Sequence, residues 1–165
     1  MSGTTTSDAL FFERTGLDKL RTPRLVAETL AGMDDGELFL EYAQSENLTF
    51  DDGKLKNASF HTNQGFGLRS VLGEASAYAH ASEFSEAAIR RAAETARAVH
   101  FGQDGVRAAI APAFGTNTAL YGDMNPLKEM AFEAKVALLQ EIDAYVRGRD
   151  PRVRQVSVTL SGQWQ

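Results

Sequence analysis

Residues 37–81, ELFLEYAQSENLTFDDGKLKNASFHTNQGFGLRSVLGEASAYAHA, alternate strand-like runs with turn signals, and their reading decides the fold. The run 37–43 puts Leu38, Leu40 and Tyr42 on one face, and 48–50 is a second short run leading into Asp51-Asp52-Gly53. An Asp-Gly pair between such runs predicts a tight hairpin, because glycine accepts the positive φ the turn needs. Residues 54–61 then form the next strand, closed by a turn at Thr62-Asn63-Gln64-Gly65, and 66–71 the one after. Leu72-Gly73-Glu74 turns the chain once more into 75–81.

With those turns setting the register, His61 is expected opposite Phe66 and Phe66 opposite His80. One face then carries Ala58, Phe60, Gly67, Arg69, Val71, Ala75, Ala77 and Ala79, small enough for a helix to approach closely. The other carries Ser59, His61, Phe66, Leu68, Tyr78 and His80. That second face is too aromatic to stay in water, so Phe66, Leu68, Tyr78 and His80 are read as a partner- or peptide-facing surface. A suitable helix follows at once: Ser85 can cap it, Glu86 favours the positive end of its dipole, and Phe84 can staple onto Ile89. Ala88, Ala92, Ala96 and Val99 continue it at helical spacing.

Working outward, residues 1–8 are polar and Ser/Thr-rich, and the tail 1–16 is expected to be largely disordered, with one domain over 17–165. Thr22-Pro23 reads as a cap and first turn, followed by the stripe Leu25, Val26, Leu30 and Met33, which ends near Gly32. The stretch 101–124 holds Pro112 among glycines and small residues and reads as a long ordered loop. Phe132, Val136, Leu139, Ile142 and Val146 fall on one face of a helix that stops before Gly148 and Pro151. Val156, Val158 and Leu160 alternate as a final strand, whose free edge next to Trp164-Gln165 would normally be paired, which reads as truncation. The sum is an α+β domain: an antiparallel β-sheet, a hairpin meander, with two to three helices packed mainly on one face.

The chemistry-bearing residues favour plain roles. His61 and His80 share the predicted face two strands apart, about 9.6 Å at the usual interstrand spacing, too far to share a zinc ion. His100 reads as a cation near a helix C-terminus. Arg69, on the small-residue face, needs a carboxylate such as Glu41 or Glu74, giving a structural ion pair. Asp34-Asp35 and Asp51-Asp52 precede glycine and are turn formers first. Gly65-x-Gly67 lacks the third glycine of a dinucleotide fingerprint, and neither Ser85 nor Ser161 has a histidine at a nucleophile spacing. No catalytic residue and no metal ligand is assigned. The net charge of −5 with no long basic run lacks the footprint of direct nucleic-acid binding. With no apolar run of membrane-span length, no signal peptide and no cysteine, the chain is expected to be cytoplasmic.

Asp51-Asp52-Gly53-Lys54-Leu55-Lys56, then Gly65-Phe66-Gly67-Leu68-Arg69, Gly73-Glu74 and Tyr78-Ala79, resemble the amino-terminal domain of the TldD/PmbA family, described as modulators of DNA gyrase and as metallopeptidases. Leu120-Tyr121, Asn125-Pro126-Leu127, Glu133-Ala134-Lys135, Asp150-Pro151-Arg152-Val153 and Leu160-Ser161-Gly162 are similar to the TldD branch. Each motif is weak alone; their collinear order from Leu20 to Gly162 is specific. The resemblance implies a longer parent, with a zinc site built from a His-Glu-x-x-x-His helix and a late cysteine, neither of which this chain contains. It further implies a non-catalytic front domain, inactive alone, that helps enclose the active site. The implied partners are a PmbA-like subunit, in a heterodimer, or a second copy, and the implied substrates are unfolded peptides. The competing reading is a stand-alone, gyrase-modulator-type interaction module with no chemistry of its own.

Overall fold

A computed structural model describes residues 6–100 and 124–165; the loop predicted at 101–124 falls, except for Met124, outside them. The elements are β1 (Asp35–Asp51), β2 (Lys54–Leu72), β3 (Ala75–Ala81) and β4 (Ser157–Trp164), with helices α1 (Thr22–Thr29), α2 (Glu86–Val99) and α3 (Phe132–Arg149). A π-helical turn at Ala9–Glu13 and a 3-10 turn at Pro126–Lys128 complete them. The strands form one antiparallel sheet in the order β3-β2-β1-β4, so the fold class is α+β as the sequence predicts.

The hairpin at Asp52-Gly53 forms as expected, with φ of 49° and 75°, the left-handed pair that a two-residue turn requires. The next predicted turn does not form. Residues 62–65 continue β2 without interruption, and the two runs 37–43 and 48–50 are likewise one strand, β1. Gly65 signals close approach rather than a turn, since a Cβ there would lie 2.8 Å from the Ala81 carbonyl oxygen. The block therefore holds three strands, two of them long, in place of a meander of short ones.

The following turn is shorter than expected: Leu72 stays in β2 and pairs with Ala75, which shifts the β2–β3 register by one residue. Phe66 pairs with Ala81, Gly67 with His80, Leu68 with Ala79 and Arg69 with Tyr78. Opposed residues share a face, and a slip of one exchanges the faces. The face covered by α2 carries Phe66, Leu68 and Ser70 with Ala77 and Ala79; Gly67 and Arg69 go to the other side with Tyr78 and His80.

The described residues divide into two compact units, both threaded by β1 and β2. The first, residues 6–42 and 64–100, is the α2 unit. Ser85 caps α2 by accepting from the Ala88 backbone N–H at 3.1 Å, and Ala88, Ala92 and Ala96 let the helix lie close to β3. Phe66, Leu68, Ile89, Phe84, Leu25 and Leu30 anchor one apolar core, each large side chain contributing about 1.5–3 kcal/mol through burial. The start of α1 differs from the expectation: Asp18 Oδ1 accepts from the Leu20 and Arg21 N–H groups, while Thr22 lies inside the helix. Residues from the described part of the predicted tail join this core. Leu10 is buried, Phe11 and Phe12 pack on the core, and Phe11 meets Phe84 edge to face at 5.7 Å.

The second unit, residues 43–63 and 124–165, is the α3 unit. Here β4, the strand that the alternation of Val158 and Leu160 predicts, pairs with β1 from Gln44↔Trp164 to Asp51↔Ser157. Its apolar core is small: Leu48, Phe50 and Leu139, with Val136, Val158 and Leu160 partly buried against them. The stripe predicted for α3 is displaced. Lys135, Leu139 and Asp143 face inward, whereas Phe132 and Ile142 are exposed. Polar pairing explains the displacement, because Lys135 Nζ donates to both oxygens of Glu46 and to the Leu127 carbonyl at 2.6–2.7 Å.

Candidate functional site

The α2 unit presents the outer sheet face that carries two of the predicted surface residues and not the other two. Tyr78 is 64 % exposed and stacks on His80 with ring centroids 5.9 Å apart. Gly67 makes that possible, since a Cβ there would fall within 2.7 Å of the Tyr78 ring. Phe66 and Leu68, at 2 % and 0 % exposure, are core residues, so the four-residue surface reduces to Tyr78 and His80. The cause is the register shift above.

Arg69 also lies on this outer face and has its ion pair, but with different partners from those predicted. Its Nε donates to Glu37 at 2.8 Å and its Nη2 to Asp35 at 2.8 Å, in place of Glu41 or Glu74. The Glu37 carboxylate, then that of Asp35, raises the guanidinium pKa above its usual value. An exposed arginine forked between two carboxylates is a positioning device for the β1–β2 pair, with limited net stability. The sequence missed these partners because a straight β2 was needed to bring residue 69 back beside 35 and 37.

Two concavities lie among the described residues of the α3 unit. A groove of about 350 Å³ is walled by Phe60, Met130, Phe132 and Leu127, with Lys135 and Glu46 at its base. Phe60, Met130 and Phe132 are each about half exposed, so the groove is apolar at its mouth and ionic, but internally neutralised, at its floor. A shallower depression of about 340 Å³ is lined by hydroxyl and amide side chains, Ser45, Asn47, Ser59, Ser161 and Gln163, together with His61. Chemically they can seat side chains and hydrogen-bond a backbone.

His100 stands at the C-terminus of α2, where the sequence places it, and is buried. It closes α2, is 4 % exposed, and its Nε2 lies 2.9 Å from Ser70 Oγ; Nδ1 has no partner among the described residues. Ser70 on the core face of β2 is the signal that would have found this pair, again only with the corrected register. Among the described residues no three His, Asp or Glu side chains are grouped as metal ligands would be, and the sequence has no cysteine.

Comparison with known proteins fits this fold and these motifs. Residues 36–99 match PmbA/TldA metallopeptidase domain 1. The chain carries the first domain of the PmbA/TldD family. Over 81 % of its length it is 32 % identical to the metalloprotease TldD homolog of Haemophilus influenzae, and over 81 % it is 29 % identical to that of Buchnera aphidicola subsp. Schizaphis graminum. It spans 28 % and 27 % of those two PmbA/TldD relatives. Among solved structures it is similar to TldE from Thermococcus kodakarensis, with a TM-score of 0.62 and 15 % identity over 86 % of this chain and 33 % of that one. It is also similar to a protein described as a modulator of DNA gyrase from Bacteroides thetaiotaomicron, with a TM-score of 0.59 and 13 % identity over 96 % of this chain and 35 % of that one. At these identities the likeness is one of fold. The PmbA/TldD domain accordingly comprises the three-strand block with α2, the part for which the sequence motifs are densest.

Proposed function

We propose that this chain is the non-catalytic front domain of a TldD-like zinc metallopeptidase that degrades or processes unfolded peptides in the cytoplasm. The observation that carries the reading is the match of most of this chain to about a quarter of proteins named metalloprotease TldD homologs. In such an enzyme the bound zinc would polarise a scissile carbonyl and activate water. The residues described here do not form a zinc site, so no step through the metal is assigned to them. Their part is to help enclose the active site and to pair with a PmbA-like subunit or a second copy. Strand edges and the apolar groove beside Phe60 suit an extended peptide, which would gain affinity from backbone pairing with little sequence preference. Nucleic acid and membrane are not partners in this reading.

The test compares this chain with the full-length product of its gene, alone and mixed with a PmbA-like subunit, on an unfolded protein substrate with and without a zinc chelator. Chelator-sensitive cleavage by the full-length protein and none by the 165-residue chain is expected. A full-length product without such cleavage would leave the interaction-module reading in possession.

A further inference from the structure

β3 pairs with β2 only from Phe66 to Leu72, so among the described residues the outer side of 54–63 has no neighbouring strand. Every residue of that stretch except Ser59 is exposed. It is a long free edge, a row of backbone N–H and C=O groups that can pair with another strand. Strand alternation gives the edge two unlike faces. Ala58 and Phe60 line the apolar groove on the α3 side with Leu127, Met130 and Phe132, while His61 lies in the polar depression of the opposite face. Through Leu139, α3 packs on Leu48 and Phe50 of β1 and on Val158 and Leu160 of β4, which leaves the β2 side of the groove uncovered. Phe60, Met130 and Phe132 stay 53 %, 43 % and 49 % exposed there, beside the unpaired edge.

This edge is complementary to itself. Two identical strands related by a two-fold axis normal to the sheet run antiparallel and keep each face on its own side, so residues of the α3 side meet residues of the α3 side. An axis at Ser59 sets Phe60 opposite Ala58 of the second copy, Lys56 opposite Thr62, Asn57 opposite His61 and Leu55 opposite Asn63. Large then meets small at the centre, and the two Phe60 rings become diagonal neighbours at about 7–8 Å, within aromatic reach. The two Lys56 positions are held about 20 Å apart along the strands, twice the roughly 10 Å Debye length at 0.1 M salt. An axis at Ala58 would set Lys56 against Phe60 and part the two rings, and an exposed cation–π contact is worth less than burying a phenylalanine.

We propose that residues 54–63 of β2 dock antiparallel on the same residues of a second copy, joining two sheets into one and closing the two Phe60 grooves against each other across the axis. This deepens the second-copy pairing of the reading above and rests on it: the copy takes the Phe60 groove, and the β4 edge is left to the extended peptide.

The chain has no native cysteine, so Ser59→Cys and Leu55→Cys serve as separate single-thiol reporters in the full chain. Sedimentation of the native chain should show a monomer–dimer equilibrium in the micromolar range. With oxidised glutathione as a mild oxidant, Ser59→Cys should give a disulfide-linked dimer about tenfold or more faster than Leu55→Cys, because thiols at 59 face each other across the axis and those at 55 lie about 26 Å apart. Random collision would favour Leu55→Cys instead, since that position is the more exposed. Phe60→Asp, which puts two like charges where the rings meet, should return the chain to monomer and lower the Ser59→Cys rate to that of Leu55→Cys. A native chain that stays monomeric through the micromolar range overturns the proposal, as do equal rates at 59 and 55, which would put the contact elsewhere. A folded Phe60→Asp chain that still dimerises overturns it too; if that variant does not fold, the two thiols decide alone. Cleavage by the full-length product reads zinc chemistry and not this contact, so the two readings can fail separately.

Discussion

In the α2 unit eleven buried residues close a single apolar core, and the ion pairs lie outside it on the surface. In the α3 unit three buried residues make the apolar core, and the helix is seated by a lysine and an aspartate. The difference teaches where each unit is vulnerable. Loss of volume should hurt the first, because its stabilisation scales with apolar area. Loss of one charge should hurt the second, because the partner is left buried and unpaired.

The largest expected effect is therefore in the α3 unit. Lys135→Ala strands Glu46 and frees the Leu127 carbonyl and should cost about 3–5 kcal/mol in urea unfolding, more than the apolar pair Lys135→Met/Glu46→Leu. A cost below about 1 kcal/mol, the range of surface pairs, would erase the distinction between the units. Next comes Leu68→Ala in the α2 unit, expected to cost about 2–5 kcal/mol through lost transfer energy and a residual cavity. The same substitution at Leu138 in α3 should cost far less, since that side chain is already exposed. Smaller again is Ser85→Ala, which removes the cap on α2 and should cost about 1 kcal/mol, read as a modest fall in the midpoint with an unchanged denaturant slope.

The sequence carried more of the α2 unit than of the α3 unit, for a physical reason. Local signals were right: Asp52-Gly53 as a hairpin, Gly73 as a turn, Ser85 as a cap and alanines at helical spacing all depend on residues a few positions apart. Errors arose where meaning depended on a distant strand. Gly65 looks the same in sequence whether it turns the chain or admits the Ala81 carbonyl, and Leu72 looks the same whether it joins the turn or pairs with Ala75; the second ambiguity slipped the register and exchanged the faces of β2. Phe66 and Leu68 were thereby read as surface, and Arg69 was offered Glu41 or Glu74 when its partners are Asp35 and Glu37. In α3 the apolar spacing was real but lost to an ion pair with a residue 89 positions away, which no periodicity encodes. The TldD-like motifs escaped this limit because their order along the chain does not depend on register.

The smallest predicted effect probes the surface charges that set the α2 unit apart from the buried pair of the α3 unit. Glu28 on α1 accepts from Arg24 at 3.0 Å and Arg90 at 3.4 Å, and these two arginines, Arg24 first, hold its pKa below the usual carboxylate value. A carboxylate with a depressed folded-state pKa stabilises the fold above its unfolded pKa, and that contribution disappears as pH falls through the folded value. Glu28→Gln should thus lower the midpoint slightly at neutral pH and be indistinguishable from the native chain in strong acid. Because the group is solvated, raising salt to about 1 M, where the Debye length is near 3 Å, should remove most of the neutral-pH difference. The Lys135→Ala deficit should survive the same salt. If salt abolished both equally, the Lys135–Glu46 pair would be behaving as a surface pair, and the two units would differ in apolar content alone.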